Sequence, residues 1–84
     1  MKETTETLGL PDVPEGTLAR VRRLPSDQHL SSRLRELGIY ENTTLRFVGH
    51  SYGSILFDVH RSRFGLSKDA ARSVLVSIDR EVRQ

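Results

Sequence analysis

The stretch that decides the fold class is residues 30–44, LSSRLRELGIYENTT, which lies between two strand-like segments. Its leucines stand at i, i+4 and i+7 and therefore share one face of a helix: Leu30, Leu34 and Leu37. Gly38 can adopt the left-handed conformation that ends a helix, and Ile39 can then fold back onto the last turn. The pattern predicts a short amphipathic helix, capped at Ser26 or Asp27, whose three leucines face a core.

The sequence on both sides of this helix alternates between apolar and polar residues, as half-buried strands do. Residues 55–60, ILFDVH, are the clearest case, with Ile55, Phe57 and Val59 on one face. Strands are predicted at 17–24, 44–49, 55–60, 64–66 and 74–78, with a tight turn at 61–62 and a single helical turn capped by Ser67. Five short strands with one helix between the first two predict a mainly β fold, a small barrel.

The length and composition allow one domain without cross-links. The chain has 84 residues and no cysteine, so neither a disulfide framework nor a thiolate metal site reinforces it. We expect a disordered N-terminal tail at residues 1–9, a barrel domain at 10–80 and a charged tail at 81–84. No apolar run approaches the roughly 20 residues that span a bilayer, and the N-terminus lacks the apolar stretch of a secretory signal. A cytoplasmic location is expected.

The charge is unevenly distributed. The net charge is +2, yet residues 1–16 hold four acidic residues and one lysine, so the excess of basic residues lies in the rest of the chain. Eleven of the thirteen basic residues are arginine, which suits bidentate contact with carboxylate or phosphate groups. An excess of basic residues is typical of a domain that binds an acidic surface on a protein, a nucleic acid or a lipid headgroup. It is equally typical of a charged surface that only keeps a small domain soluble.

Several short motifs follow one another in order along the chain. They are Leu10-x-x-Val13-Pro14-x-Gly16, Arg33-Leu34-x-Glu36-Leu37-Gly38-Ile39, Thr43-x-Leu45, Ile55-x-Phe57-x-Val59, and Leu66 and Ala70 before Val74-x-Val76. Together they resemble the FeoA family, ferrous iron transport protein A, over about residues 10–78. Where that family usually has a Pro-Gly-Thr turn after the helix, this chain has Glu41-Asn42-Thr43. Asn42 can replace glycine in a left-handed turn position.

The resemblance to FeoA implies an SH3-like barrel that is not an enzyme. It implies a cytoplasmic accessory of bacterial ferrous iron uptake that is recruited to the inner face of the membrane without being inserted in it. The implied partner is FeoB, a membrane permease, contacted at its cytoplasmic GTP-binding domain or at a membrane-proximal face. We expect a monomer or a weak oligomer, and no nucleic acid partner.

The sequence assigns no catalytic residue, no cofactor and no metal ligand. It has no cysteine nucleophile, and its six glycines are isolated rather than grouped in a phosphate-binding loop. His50 and His60 can flank one hairpin with Asp58 beside His60, but this spacing does not require the three side chains to meet. We therefore expect that this chain is connected with iron through its partner protein and does not bind iron itself.

The predicted partner-binding residues lie on the helix and on the hairpin that follows it. An exposed set of aromatic, aliphatic and basic side chains is typical of the residues that dominate binding energy at interfaces. The set is Arg33, Arg35, Tyr52, Leu56, His60, Arg61 and Arg63.

Two other functions stay open at this point. The first is a nucleic-acid-binding barrel with phosphate contacts from Arg20, Arg22, Arg23, Arg46, Arg61 and Arg63, which the shortage of exposed aromatic residues disfavours. The second is a regulatory domain like the terminal barrel of a metal-dependent repressor, which binds a proline-containing segment or a metal-sensing partner in trans. Because one fold hosts several functions, fold class alone does not choose among them.

Overall fold

The computed structural model describes the backbone of residues 3–81 and the side chains of residues 7–78. Its six strands are β1 (Glu3–Gly9), β2 (Leu18–Arg23), β3 (Thr44–Ser51), β4 (Ser54–Val59), β5 (Ser62–Ser67) and β6 (Leu75–Glu81). They form one sheet in the order β1-β6-β2-β3-β4-β5, with every neighbouring pair antiparallel. The predicted mainly β, small barrel fold is confirmed, with one strand more than expected.

The additional strand is β1, whose residues were predicted to lie in a disordered tail. Residues 3–9 pair with β6 along their whole length, from Glu3 opposite Glu81 to Gly9 opposite Leu75. The prediction of disorder for these residues was wrong because a strand can be held by backbone hydrogen bonds to a neighbour, whatever the polarity of its side chains. Glu81 likewise belongs to β6 rather than to a tail, and residues 1–2 and 82–84 lie outside the described residues.

The helix α1 (Gln28–Glu36) lies between β2 and β3, and its ends follow local rules. Asp27 caps the start, where its Oδ1 accepts the backbone N–H groups of His29 (2.9 Å) and Leu30 (3.2 Å). Gly38, at φ +87°, ends the helix, and the N–H of Ile39 donates to the carbonyl of Leu34 at 2.9 Å. The predicted cap and stop are both confirmed.

Only one of the three helix leucines is fully in the core. Leu34 is 1% exposed and Leu30 packs partly buried against the core, whereas Leu37 is 37% exposed. The prediction was wrong for Leu37 because this residue is the C-cap, where the chain leaves the helix. Ile39, which folds back at 1% exposure, takes the buried position instead.

The barrel core is aliphatic with two phenylalanines at its centre. Phe47 of β3 lies opposite Phe57 of β4, and both are buried. The alternation predicted for β4 is confirmed, since Ile55 and Val59 are also buried while the residues between them are half-buried. A second short helix, α2 (Lys68–Arg72), begins at the expected cap, where Ser67 Oγ accepts the N–H of Ala70 at 3.1 Å.

The connections use left-handed positions at non-glycine residues. Asn42 has φ +75°, as expected for its replacement of glycine, and its N–H donates to the carbonyl of Val21 at 2.7 Å. Between β4 and β5 the two loop residues are His60, at φ +60°, and Arg61. The turn predicted at 61–62 therefore lies one residue earlier, because Ser62 already pairs with Val59.

Candidate functional site

Leu56 and Arg63 lie on the outer side of the β4–β5 hairpin. Arg63 donates from Nε to Asp58 Oδ1 at 2.8 Å and from Nη2 to Oδ2 at 3.3 Å, so both carboxylate oxygens are occupied. The hydrogen bond from Arg63 holds the pKa of Asp58 below its usual value, and the charge of Arg46 adds to this. Leu56 is half-buried against Gly65, which lies opposite it in β5. The side chains of Leu56 and Arg63 are therefore already in contact with other residues of the hairpin.

Tyr52 lies at the other end of β4 from His60 and Arg61. It occupies the β3–β4 turn at φ +50°, and its side chain is fully exposed. Since β4 has six residues and a strand rises about 3.3 Å per residue, the two ends are about 15–20 Å apart. The structure therefore does not bring Tyr52 together with the basic residues of the hairpin tip.

His60 brings the hairpin tip against the end of α1. Its Nε2–H donates to the carbonyl of Gly38 at 3.3 Å, and a Cβ placed on Gly38 would lie 3.5 Å from the imidazole ring. Arg35 lies in the last turn of α1, where its carbonyl accepts the N–H of Gly38 at 2.9 Å. Arg33 lies on the opposite flank, about 200° around the helix axis from Arg35.

We call the surface around this contact the helix–hairpin corner. It consists of the exposed residues within three positions of Gly38 or one position of His60 that carry a large apolar or a basic side chain: Arg35, Leu37, Tyr40, His60 and Arg61. Tyr40 is 52% exposed and Leu37 is 37% exposed. The corner therefore holds a tyrosine and two arginines, which are residue types enriched in binding hot spots, beside an exposed leucine.

Leu37 and Tyr40 belong to the corner but were not predicted as site residues. Leu37 was assigned to the core by its helical spacing. Tyr40 carried a usable signal, since it directly follows the buried Ile39 and an extended chain turns successive side chains to opposite sides. Of the seven predicted residues, Arg35, His60 and Arg61 belong to the corner. Arg63 lines a shallow depression together with His60 and Arg61, where it binds Asp58. Arg33, Tyr52 and Leu56 lie elsewhere.

Histidine and acidic residues do not converge on a metal site in the described part of the chain. Among residues 7–78, no group of three or more histidine or acidic side chains is placed to hold an ion. His50 packs edge-on against the ring of Phe47, with ring centroids 5.4 Å apart, while His60 contacts Gly38 at the opposite end of β4. Asp58, the third residue considered, binds Arg63.

A match to a protein-family profile identifies the family of this chain. A profile of the FeoA domain matches residues 8–78. The chain belongs to the FeoA domain family. This membership supports involvement in ferrous iron transport systems, and the family is one of small accessory domains rather than a known enzyme class. No curated protein sequence matches significantly. Within the described residues, no helix is long and apolar enough to cross a membrane.

Solved structures of FeoA proteins have the same fold. An iron uptake regulatory protein (FeoA) is 22% identical, with a TM-score of 0.75 over 84% of this chain and 95% of that one. A FeoA-like protein from Clostridium acetobutylicum is 19% identical, with a TM-score of 0.78 over 96% of both chains.

The fold also occurs inside larger regulators. A manganese-dependent transcriptional repressor is 20% identical, with a TM-score of 0.78 over 89% of this chain but only 43% of the repressor. At these identities the likeness concerns the fold alone.

Proposed function

We propose that this FeoA domain is a non-enzymatic accessory of bacterial ferrous iron uptake that regulates a FeoB-type permease by protein contact in the cytoplasm. The observation that carries the proposal is the family match over residues 8–78. A regulator of this kind needs an exposed binding surface rather than a reactive site. The described residues offer such a surface and offer no converging metal ligands.

The helix–hairpin corner is the proposed contact. Tyr40 supplies an aromatic ring on a rigid support, because its own N–H donates to Thr43 Oγ1 at 2.9 Å and the preceding residue is buried. Arg61 lies at the tip of a two-residue loop, where a partner can reach its guanidinium. Aromatic and arginine side chains dominate the binding energy of protein interfaces. Two predicted residues outside the corner, Arg33 and Tyr52, serve as comparisons in the same experiment.

The test is a titration of the ¹⁵N-labelled domain with the soluble GTP-binding domain of the cognate permease, in GDP and GTP-analogue states. We expect shift changes centred on Gly38, Tyr40 and His60. Tyr40→Ala should weaken binding at least tenfold, whereas Tyr52→Ala, at a tyrosine that is more exposed, should change it less than twofold. Arg61→Gln and Arg33→Gln form a second matched pair with the same change of charge.

Two results would overturn parts of this proposal separately. If Tyr52→Ala weakens binding and Tyr40→Ala does not, the contact lies at the β3–β4 turn and the corner is wrong. If neither the soluble domain nor the complete permease in lipid nanodiscs binds the accessory in any nucleotide state, the partner itself is wrong.

A further inference from the structure

The outer side of β2 carries a second exposed surface that is separate from the helix–hairpin corner. Leu18, Arg20 and Arg22 alternate with the buried Ala19 and Val21, so the three point outward. The strand register places Arg46 opposite Leu18 and sets Thr44 and Ser77 on either side of Arg20. We call this surface the arginine face: Leu18, Arg20, Arg22, Thr44, Arg46 and Ser77.

Two of its three guanidinium groups are held in place by neutral acceptors. Arg22 donates from Nε to Ser77 Oγ at 2.7 Å and from Nη1 to Asn42 Oδ1 at 3.5 Å, and Ser77 is only 4% exposed. Arg46 donates from Nη1 to the carbonyl of Gly16 at 3.0 Å. Hydroxyl, amide and carbonyl oxygens orient a guanidinium without cancelling its charge. The positive groups are therefore ordered before any ligand arrives, which reduces the entropy cost of binding.

Two described carboxylates on neighbouring segments make no direct contact with the guanidinium groups of this face, although the charges of Asp58 and Arg46 act on each other at longer range. Asp58 lies opposite Arg46 in the register, but both of its oxygens bind Arg63. The Glu15 carboxylate lies over Gly49, where its Oε2 is 3.3 Å from the position of a Cβ. Among the side chains of residues 7–78, no carboxylate oxygen lies within 4.0 Å of the guanidinium nitrogens of Arg20, Arg22 or Arg46.

An apolar side chain stands among these charges. Leu18 is 53% exposed and borders a shallow depression that Arg20, Thr44 and Ser77 also line. The face itself contains no aromatic residue, so it offers no platform on which a nucleic acid base can stack. Guanidinium groups beside an exposed leucine instead match a ligand that has both carboxylates and an aliphatic side chain.

We propose that the arginine face binds an acidic, extended segment of a partner protein, with its carboxylates on Arg20, Arg22 and Arg46 and an aliphatic side chain against Leu18. The arginine face and the helix–hairpin corner have no residue in common. The proposal does not depend on the identity of the permease partner.

The test uses fluorescence anisotropy with a labelled twelve-residue peptide that carries four glutamates around a central leucine. The comparison probes are the same peptide with glutamine at the four positions and a twenty-nucleotide DNA, single- and double-stranded. We expect measurable binding of the glutamate peptide at low ionic strength, weaker binding as salt rises, and none of the glutamine peptide.

The matched variants are Arg20→Gln and Arg33→Gln, which remove the same charge from the face and from the far flank of α1. Arg20→Gln should weaken peptide binding about tenfold, the usual loss for one charge-assisted contact, while Arg33→Gln should change it less than twofold. Circular dichroism checks that both variants are folded. Equal effects of the two variants, equal binding of the two peptides, no binding of the glutamate peptide up to millimolar concentration, or tighter binding of DNA would each overturn the proposal.

Discussion

Replacing Leu34 by alanine should remove a large part of the stability of this small domain. Leu34 is 1% exposed between α1 and the barrel, and the space it leaves is closed to water. Substitutions of this kind cost about 2–5 kcal/mol, because lost transfer free energy adds to the cost of the cavity. A domain of this size has a total unfolding free energy of about 5–15 kcal/mol, so the loss is a substantial fraction.

Leu37→Ala is the matched control, since it makes the same chemical change one turn later along the same chain. At 37% exposure, the leucine has already lost part of the benefit of burial, and water fills the space left by its truncation. We expect a loss of about 1 kcal/mol. In thermal terms, Leu34→Ala should lower the melting temperature by about 8–40 °C and Leu37→Ala by about 4–8 °C.

The assay is urea and thermal unfolding followed by far-ultraviolet circular dichroism, because the chain has no tryptophan for fluorescence. The slope of free energy against urea concentration should be unchanged, which shows that the midpoint shift reports stability. If Leu37→Ala costs as much as Leu34→Ala, the reasoning that separates the two leucines by burial is refuted.

Three further predictions concern local features of the fold. Gly38→Ala and Gly53→Ala should each lose about 1–2 kcal/mol of unfolding free energy, because both glycines have φ above +75°; a neutral effect in thermal unfolding would contradict this. Asp27→Ala should cost about 0.5–2 kcal/mol through loss of the helix cap, whereas Asp27→Asn, which keeps an acceptor oxygen, should cost much less in urea unfolding. The bond to Arg63 lowers the pKa of Asp58 from 3.8, so it stabilises the fold above that pH and the effect disappears as pH falls through the lowered pKa. Asp58→Asn should therefore flatten the acid limb of a stability–pH curve, and an unchanged limb would exclude this role for the pair.

The parts of the fold that the sequence predicts are those set by neighbouring residues. The alternation in β4, the cap at Asp27 and the stop at Gly38 each depend on side chains within a few positions of one another. The exposure of Leu37 could not be predicted in this way, because helical spacing does not reveal the exact residue at which the chain leaves the helix. The strand β1 could not be predicted from neighbouring residues either, because its partner strand β6 is about seventy positions away in the sequence.

The candidate site is less predictable than the fold for a related reason. The residue types were recognisable, and Arg35, His60 and Arg61 were among those chosen. Which of these residues share one surface depends on the contact between His60 and Gly38, which are twenty-two positions apart. The residues around neither of them form a sequence pattern that predicts this contact. The exposure of Tyr40 follows from the burial of its neighbour and shows that alternation is informative outside regular strands as well.

The position of β6 between β1 and β2 has a consequence for how the domain is made. The hairpins β3–β4 and β4–β5 join residues close in sequence and can form early, whereas β1 pairs with the last strand described. Contacts between such distant residues slow folding, because the ends of a long chain segment must first be brought together. During synthesis, β1 leaves the ribosome before the other five strands described and cannot pair with β6 until β6 has followed. The sheet is thus completed only after translation of its final strand.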